Sequence, residues 1–413
     1  MATQSYWVET LGCPKNEVDS AKLIGQLEAD GYAPATSAGD ADVVVVNTCA
    51  FIDAARQESI DTVISLGEAK RSDARLVVTG CMAERYGSEL SEALPEVDQV
   101  AGFGVPVALG LKPSGQPIPS FDLLNLPRPK SPRPWAYVKV AEGCDRNCGF
   151  CAIPSFRGKQ RSRSRESILE EVEALEAREI VLVAQDLASY GNDIDDRRAI
   201  IPLVAEVAKR TDRVRLLYLY PSDLTDGLID VIGATGVPYY DLSLQHASAP
   251  LLKRMRRWGN GDKFLKRIND IRQRYPDATI RSNFIVGYPG ESEADHDTLL
   301  SFMRDAQFDW VGLFAYSRED GTHADTQDGH IDEALIKERL AEASELQDTI
   351  TFTRRAALIG TEMNVLVDES GVGRSHREAP EIDGVVRVPA AFPVGTFQTV
   401  TVESVAGVDL EAK

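Results

Sequence analysis

The chain has 413 residues, 43% hydrophobic and 26% charged, which excludes a disordered or fibrous protein and leaves room for two or three domain cores. A net charge of −19 argues against a broad phosphate-binding surface, which needs Lys and Arg; it suits a basic protein partner, or simply solubility. No charged-then-apolar leader and no apolar run of membrane-span length is present, so the six cysteines are expected to be ligands in a reducing cytoplasm rather than disulfides.

Residues 1–119 read as alternating strands and helices. Strands are expected at 5–11, 42–47 (DVVVVN), 74–79 (ARLVVT) and 99–101, with helices at 16–30, 53–70 and 83–94. Near-continuous β-branched runs mark strands buried on both faces, so this βαβ series predicts a Rossmann-like parallel sheet. Cys13, Cys49 and Cys81 each fall just after one of these strands. Carboxyl ends of parallel strands share one edge, so the three thiols are expected to meet despite their separation in sequence. Any one alone reads as a small buried hydrophobe. Three at equivalent positions suggest a three-thiolate cluster site.

Residues 120–134 include the run PRPKSPRP (127–134), which reads as an extended linker. From 135 to 353 the alternation resumes at longer spacing. Strands are expected at 136–141, 179–184, 214–220, 240–244, 279–286 and 310–316. Helices are expected at 166–177, 200–210, 223–232, 249–256, 263–275 and 291–305. Six such units predict an open partial TIM barrel, with its chemistry at the carboxyl ends of the strands.

Cys144, Cys148 and Cys151 follow the first of those strands in a C-x3-C-x2-C spacing, with Phe150 before the last. A 4Fe–4S cluster is held by four thiolates as a rule, so three would leave one iron open to a substrate or cofactor. A structural zinc site, a ferredoxin loop and a chance group of buried thiols compete with that reading. Zinc would show paired C-x2-C hooks or a nearby His, and a ferredoxin a fourth Cys. Gln185, Asp186, Pro221, Gln245, His246, the 287–291 stretch (Gly287, Gly290, Glu291) and the 317–320 stretch end the later strands. They read equally as ligand-binding groups or as turn and capping residues.

A charged amphipathic helix at 333–353 is expected to leave the barrel. From 354 to 413 short strands at 363–368, 384–389 and 396–402 predict a small five-stranded β-barrel. Such barrels often bind RNA, but residues 356–413 hold nine acidic and four basic side chains, the reverse of an RNA-binding surface.

The Cys144–Cys151 loop resembles that of the radical S-adenosylmethionine superfamily. The whole chain resembles the methylthiotransferases, in the branch acting on a ribosomal-protein aspartate. The matching motifs are 11–20 (LGCPKNEVDS), 47–52 (NTCAFI), 79–82 (TGCM), Gln185-Asp186, Tyr190-Gly191, 219–221 (LYP), 244–246 (LQH), 316–322 (YSREDGT) and 373–384 (GRSHREAPEIDG). Ala21 and Ala50 depart from the usual Glu and Gly. The resemblance implies two 4Fe–4S clusters, on Cys13/Cys49/Cys81 and Cys144/Cys148/Cys151, with a C-terminal TRAM barrel. It implies S-adenosylmethionine as both radical source and methyl donor, with Gly287, Gly290 and Glu291 against it and Gln185, Asp186 and Gln245 nearby. The implied substrate is an aspartate β-carbon of small-subunit ribosomal protein twelve, and the electrons come from a donor such as flavodoxin or ferredoxin. The first 119 residues, with 17 acidic and 8 basic side chains, suit a basic protein better than direct RNA contact. The rival readings are a tRNA methylthiotransferase acting on an adenosine and a non-catalytic iron–sulfur electron carrier.

Overall fold

The structure, a computed structural model, describes residues 4–102 and 123–413. The expected boundary between the first unit and the linker, at 119/120, lies outside the described residues. The first unit contains β1 (Ser5–Thr10), α1 (Pro14–Ala29), β2 (Ala33–Pro34), β3 (Val43–Thr48), α2 (Asp53–Ala69), β4 (Arg75–Gly80), α3 (Cys81–Ala93) and β5 (Gln99–Ala101). Its strands pair in parallel in the order β2-β1-β3-β4-β5. The apolar runs are continuous because both faces are covered. Val44, Val46, Leu76 and Val78 enter one core, Val43, Val45 and Val77 the other.

Residues 127–134 carry no regular element, yet they are packed rather than free. Lys22 Nζ donates to the Leu126 carbonyl at 2.6 Å, and Arg128 pairs with Glu171 at 2.8 Å, both side chains 7% exposed. The proline run is a strap between α1 and the barrel.

The second unit holds β6 (Trp135–Lys139), β7 (Ala141–Glu142), α4 (Ile153–Arg157), β8 (Arg161–Ser162), α5 (Arg165–Leu175), β9 (Glu179–Val183), α6 (Ile200–Val207), β10 (Arg213–Leu216) and α7 (Asp226–Ala234). It continues through β11 (Tyr239–Gln245), α8 (Ala249–Arg254), α9 (Gly261–Arg274), β12 (Thr279–Val286), α10 (Glu293–Ala306) and β13 (Trp310–Ala315). Two parallel three-stranded sheets, β6-β9-β10 and β11-β12-β13, meet through a Leu219–Leu242 bridge, giving six strands in chain order around a partial barrel. Helix starts are set by side-chain caps: Ser164, Thr225, Ser248, Asn260 and Ser292 each accept an N–H from the first turn. The third strand stops earlier than its apolar pattern predicts because Tyr218 has φ 66° and turns the chain.

The helix expected to leave the barrel, α11 (Glu333–Ala356), instead lies along it, burying Ala343 and Ile350 in the barrel core. β14 (Glu362–Glu369), β15 (Val372–Arg374), β16 (Val386–Arg387), β17 (Phe397–Ala406) and β18 (Asp409–Ala412) close a five-stranded barrel in the order β14-β15-β16-β18-β17. β15 and β18 escape the sequence pattern, and the strand expected at 384–389 shrinks to two residues. Residues 374–383 project from this barrel and plug the amino end of the larger one. Arg213 and Arg215 donate to the carbonyls of Arg374 and His376, both at 2.9 Å, and Trp310 Nε1 to that of Arg377 at 2.7 Å. Among the described residues no helix is long and apolar enough to cross a membrane.

Candidate active site at two cysteine trios

The first trio sits where β1, β3 and β4 end side by side, with Thr10 opposite Asn47 and Thr48 opposite Gly80. Cys13 caps α1 and Cys81 opens α3, so both thiols stand at positive helix ends, although at Cys81 burial prevails and pushes the thiol up. Gly12 has φ +93°, and a Cβ there would lie 2.8 Å from Cys49 Cβ and 2.9 Å from its Sγ, so the loop reaches Cys49 only as glycine. Asn16 ties the loops, its Nδ2 donating to the carbonyls of Leu11 at 2.8 Å and Thr48 at 3.0 Å. Burial pushes the Cys49 thiol up to about 11. At Cys13 burial acts the same way but the Lys15 and Arg157 charges outweigh it, leaving the thiol below its usual range.

The second trio follows β7. Cys144 N–H donates to the Gly158 carbonyl at 3.0 Å and Gly149 N–H to that of Met255 at 2.8 Å, fixing the loop at both ends. Cys144 Sγ accepts from the Arg146 N–H at 3.4 Å, and Cys148 Sγ from Arg257 Nη1 at 3.3 Å. Burial pushes Cys144 up to about 11 and Cys151 to about 12. The Arg146 and Arg257 guanidinium carbons each lie 3.9 Å from the Tyr220 ring centroid. Arg146 also donates to Asp186 at 2.6 Å and Ser189 at 2.9 Å.

One buried side chain from just past the second trio reaches the first. Arg157, six residues past Cys151, donates to Cys81 Sγ at 3.0 Å and Asn16 Oδ1 at 2.8 Å. Its other nitrogen reaches Asp19 and Glu142, each at 3.0 Å. Lys139 shares both carboxylates, and Gln185 Nε2 donates to Glu142 at 2.6 Å. Burial opposes ionisation of Glu142, but Arg157 and Lys139 prevail and hold it down to about 2. A second clasp lies at the end of β13, where Glu319 accepts Arg85 at 2.9 Å and also pairs with Arg56.

Sequence reasoning gave no role to Arg146 in the cysteine loop or to Tyr220 in the 219–221 motif, and missed Lys139, Glu142, Arg157 and Arg257 altogether. The last four have no motif signature; Arg157 begins a run of five alternating basic residues that ends at Arg165, within which nothing local marks the buried ones. Of the expected residues, Gln185 and Asp186 border this network, and each keeps one buried oxygen without a partner. Gln245 ends β11 with φ 75°. The Gly287–Glu291 turn is packed within the fold: a Cβ on Gly287 would meet Ile336, one on Gly290 the Arg254 side chain. The Glu291 carboxylate accepts the Gly287 N–H at 2.5 Å and faces Arg339 at 3.4 Å. His246 is buried in the core, its Nδ1 accepting from Ser248 N–H at 3.0 Å, and burial holds it down to about 3.

Among the described residues no group of three or more His, Cys, Asp or Glu converges as a single metal ion requires. A four-iron cluster spreads its thiolates farther apart. Three thiols per site, helix ends behind two of them and N–H donors on three sulfurs make a donor set that fits such a cluster.

Residues 5–102 match the uncharacterized protein family UPF0004, residues 138–303 the radical SAM superfamily and residues 359–413 the TRAM domain. The chain is 40% identical to the ribosomal protein uS12 methylthiotransferase RimO of Kineococcus radiotolerans, covering 100% of this chain and 97% of that one. It is 42% identical to the protein of the same name from Moorella thermoacetica, over 95% of each chain. Among solved structures, the radical S-adenosylmethionine methyltransferase TsrM from Kitasatospora setae, with tryptophan substrate and a SAM analog, superposes with a TM-score of 0.53. It covers 84% of this chain and 89% of that one at 13% identity, a likeness of fold. With three domain matches and full-length relatives in agreement, the chain belongs to the RimO family of radical SAM methylthiotransferases.

Proposed function

We propose that this enzyme adds a methylthio group to the β-carbon of an aspartate in ribosomal protein uS12. One 4Fe–4S cluster would be held by Cys13, Cys49 and Cys81, the other by Cys144, Cys148 and Cys151. The relatives' name supports the protein substrate. The observation that supports the two-cluster reading is that the first trio gathers at the carboxyl ends of β1, β3 and β4, and that Arg157, six residues past Cys151, reaches from the second trio's segment to Cys81 Sγ and to Glu142, two residues before Cys144. When bound, the clusters and S-adenosylmethionine supply a carbon-centred radical able to attack an unactivated C–H bond, together with the sulfur and methyl groups.

The chain's own residues place and insulate these groups. Arg257 and the Arg146 N–H neutralise sulfur charge in the Cys144–Cys151 loop, while Arg157 does so at Cys81. Tyr220 lies between the two guanidinium groups and holds them beside the loop. Gln185 and Asp186, with spare acceptor oxygens, Gln245 and the turn of Gly287, Gly290 and Glu291 border the side proposed for S-adenosylmethionine. The electron donor is proposed to be a flavodoxin or ferredoxin, and the setting cytoplasmic.

The test is incubation of anaerobically reconstituted, reduced protein with S-adenosylmethionine and either uS12 or tRNA. The methylthio mass is expected on one aspartate of uS12. Its appearance on tRNA alone would overturn the reading.

A further inference from the structure

Lys15 lies two residues beyond Cys13 and is only 9% exposed. Its Nζ rests 3.5 Å from the centroid of Tyr218, the residue that turns the chain at the carboxyl end of the third barrel strand. The ammonium is therefore held between the loop of the first trio and the mouth of the barrel. The other cations in this crevice have carboxylate partners: Lys139 and Arg157 share Asp19 and Glu142, and Arg146 holds Asp186. Arg257 is committed to Cys148 Sγ. No carboxylate among the described residues pairs with Lys15; its neighbour is the Tyr218 phenol, 3.5 Å away at the ring centroid.

A buried cation with only a neutral phenol against it is an incomplete electrostatic arrangement, because a phenol attracts a cation without replacing a counter-charge. The reaction proposed above brings an anion to this place. Attack at the β-carbon of an aspartate leaves its γ-carboxylate one bond away. An ammonium within a side chain's length of Cys13 would hold that carboxylate so that the β-carbon faces the first trio. We propose that Lys15 receives the substrate carboxylate and is the residue that selects aspartate. This rests on the aspartate reading given under Proposed function.

The experiment measures binding, not turnover. Anaerobically reconstituted protein is titrated with uS12 and with uS12 whose target aspartate, located by mass mapping, is replaced by asparagine. The unaltered enzyme should prefer the aspartate form by roughly tenfold, the scale of one charge-assisted hydrogen bond. Lys15→Met should abolish that preference with iron content unchanged, and Lys15→Arg should keep most of it. Equal affinity of the unaltered enzyme for both forms, or a preference that survives Lys15→Met, overturns the proposal. So does loss of iron in Lys15→Met, which assigns the ammonium to the cluster instead. If uS12 acquires no methylthio mass on aspartate with the unaltered enzyme, the underlying reading fails, and the mass measurement reports that separately.

Discussion

Gly12 decides how closely the first loop can approach Cys49. Alanine there places a methyl group within 2.8 Å of Cys49 Cβ in a backbone conformation that L-residues avoid, so the loop must withdraw and carry Cys13 with it. If each trio holds a cluster as proposed, Gly12→Ala is expected to lose the one at Cys13, Cys49 and Cys81 and keep the other, leaving about half the iron of the unaltered protein by anaerobic metal analysis. Full iron content would show that Cys13 does not depend on this approach. His246 offers a prediction of another kind. Its folded value, about 3, lies below the ordinary 6.5, so the unfolded chain binds its proton first as pH falls. The stability it contributes is complete above pH 6.5 and is lost progressively toward pH 3. His376, also held down by burial, to about 4, adds to the same slope. Thermal unfolding midpoints should fall as pH drops through this window, and His246→Gln should flatten the fall.

At the scale of elements, the plug formed by residues 374–383 shows why a motif can be informative without touching the chemistry. Glu378 is fully buried, accepts from Ser375 N–H at 2.8 Å and pairs with Arg355. Removing its carboxylate leaves Arg355 buried and unpaired. Glu378→Ala should cost about 3–5 kcal/mol, read as a lower midpoint of thermal unfolding with the iron content retained. The parallel strands were legible in the sequence because burial on both faces writes itself as runs such as Val43–Val46. The cysteine positions were legible because strand ends bring distant residues to one edge. β15 and β18 were not legible: strands of three and four residues are specified by the neighbours that complete the small barrel, not by their own pattern. Arg157 was illegible for a related reason. It and Arg163 are buried while Lys159, which lies between them in sequence, is exposed, and only the fold sorts the three.

For the whole molecule, the Arg157 network and the Glu319 clasp press the first sheet onto the carboxyl face of the barrel, and the plug seals the opposite end. The proposed protein substrate would therefore reach the trios from the rim between the first two units, beside the proline strap. A net charge of −19 gives the whole chain a long-range attraction for a basic partner such as the proposed uS12. Attraction of that kind acts on encounter more than on the docked complex. Raising ionic strength from about 0.01 M to about 0.15 M shortens the Debye length from about 30 Å to about 8 Å, so the association rate constant should fall by roughly tenfold or more. The dissociation rate constant should change far less. Stopped-flow association across that salt range separates the two, and a flat association rate would mean that contact surfaces, rather than the acidic field, bring the partner in.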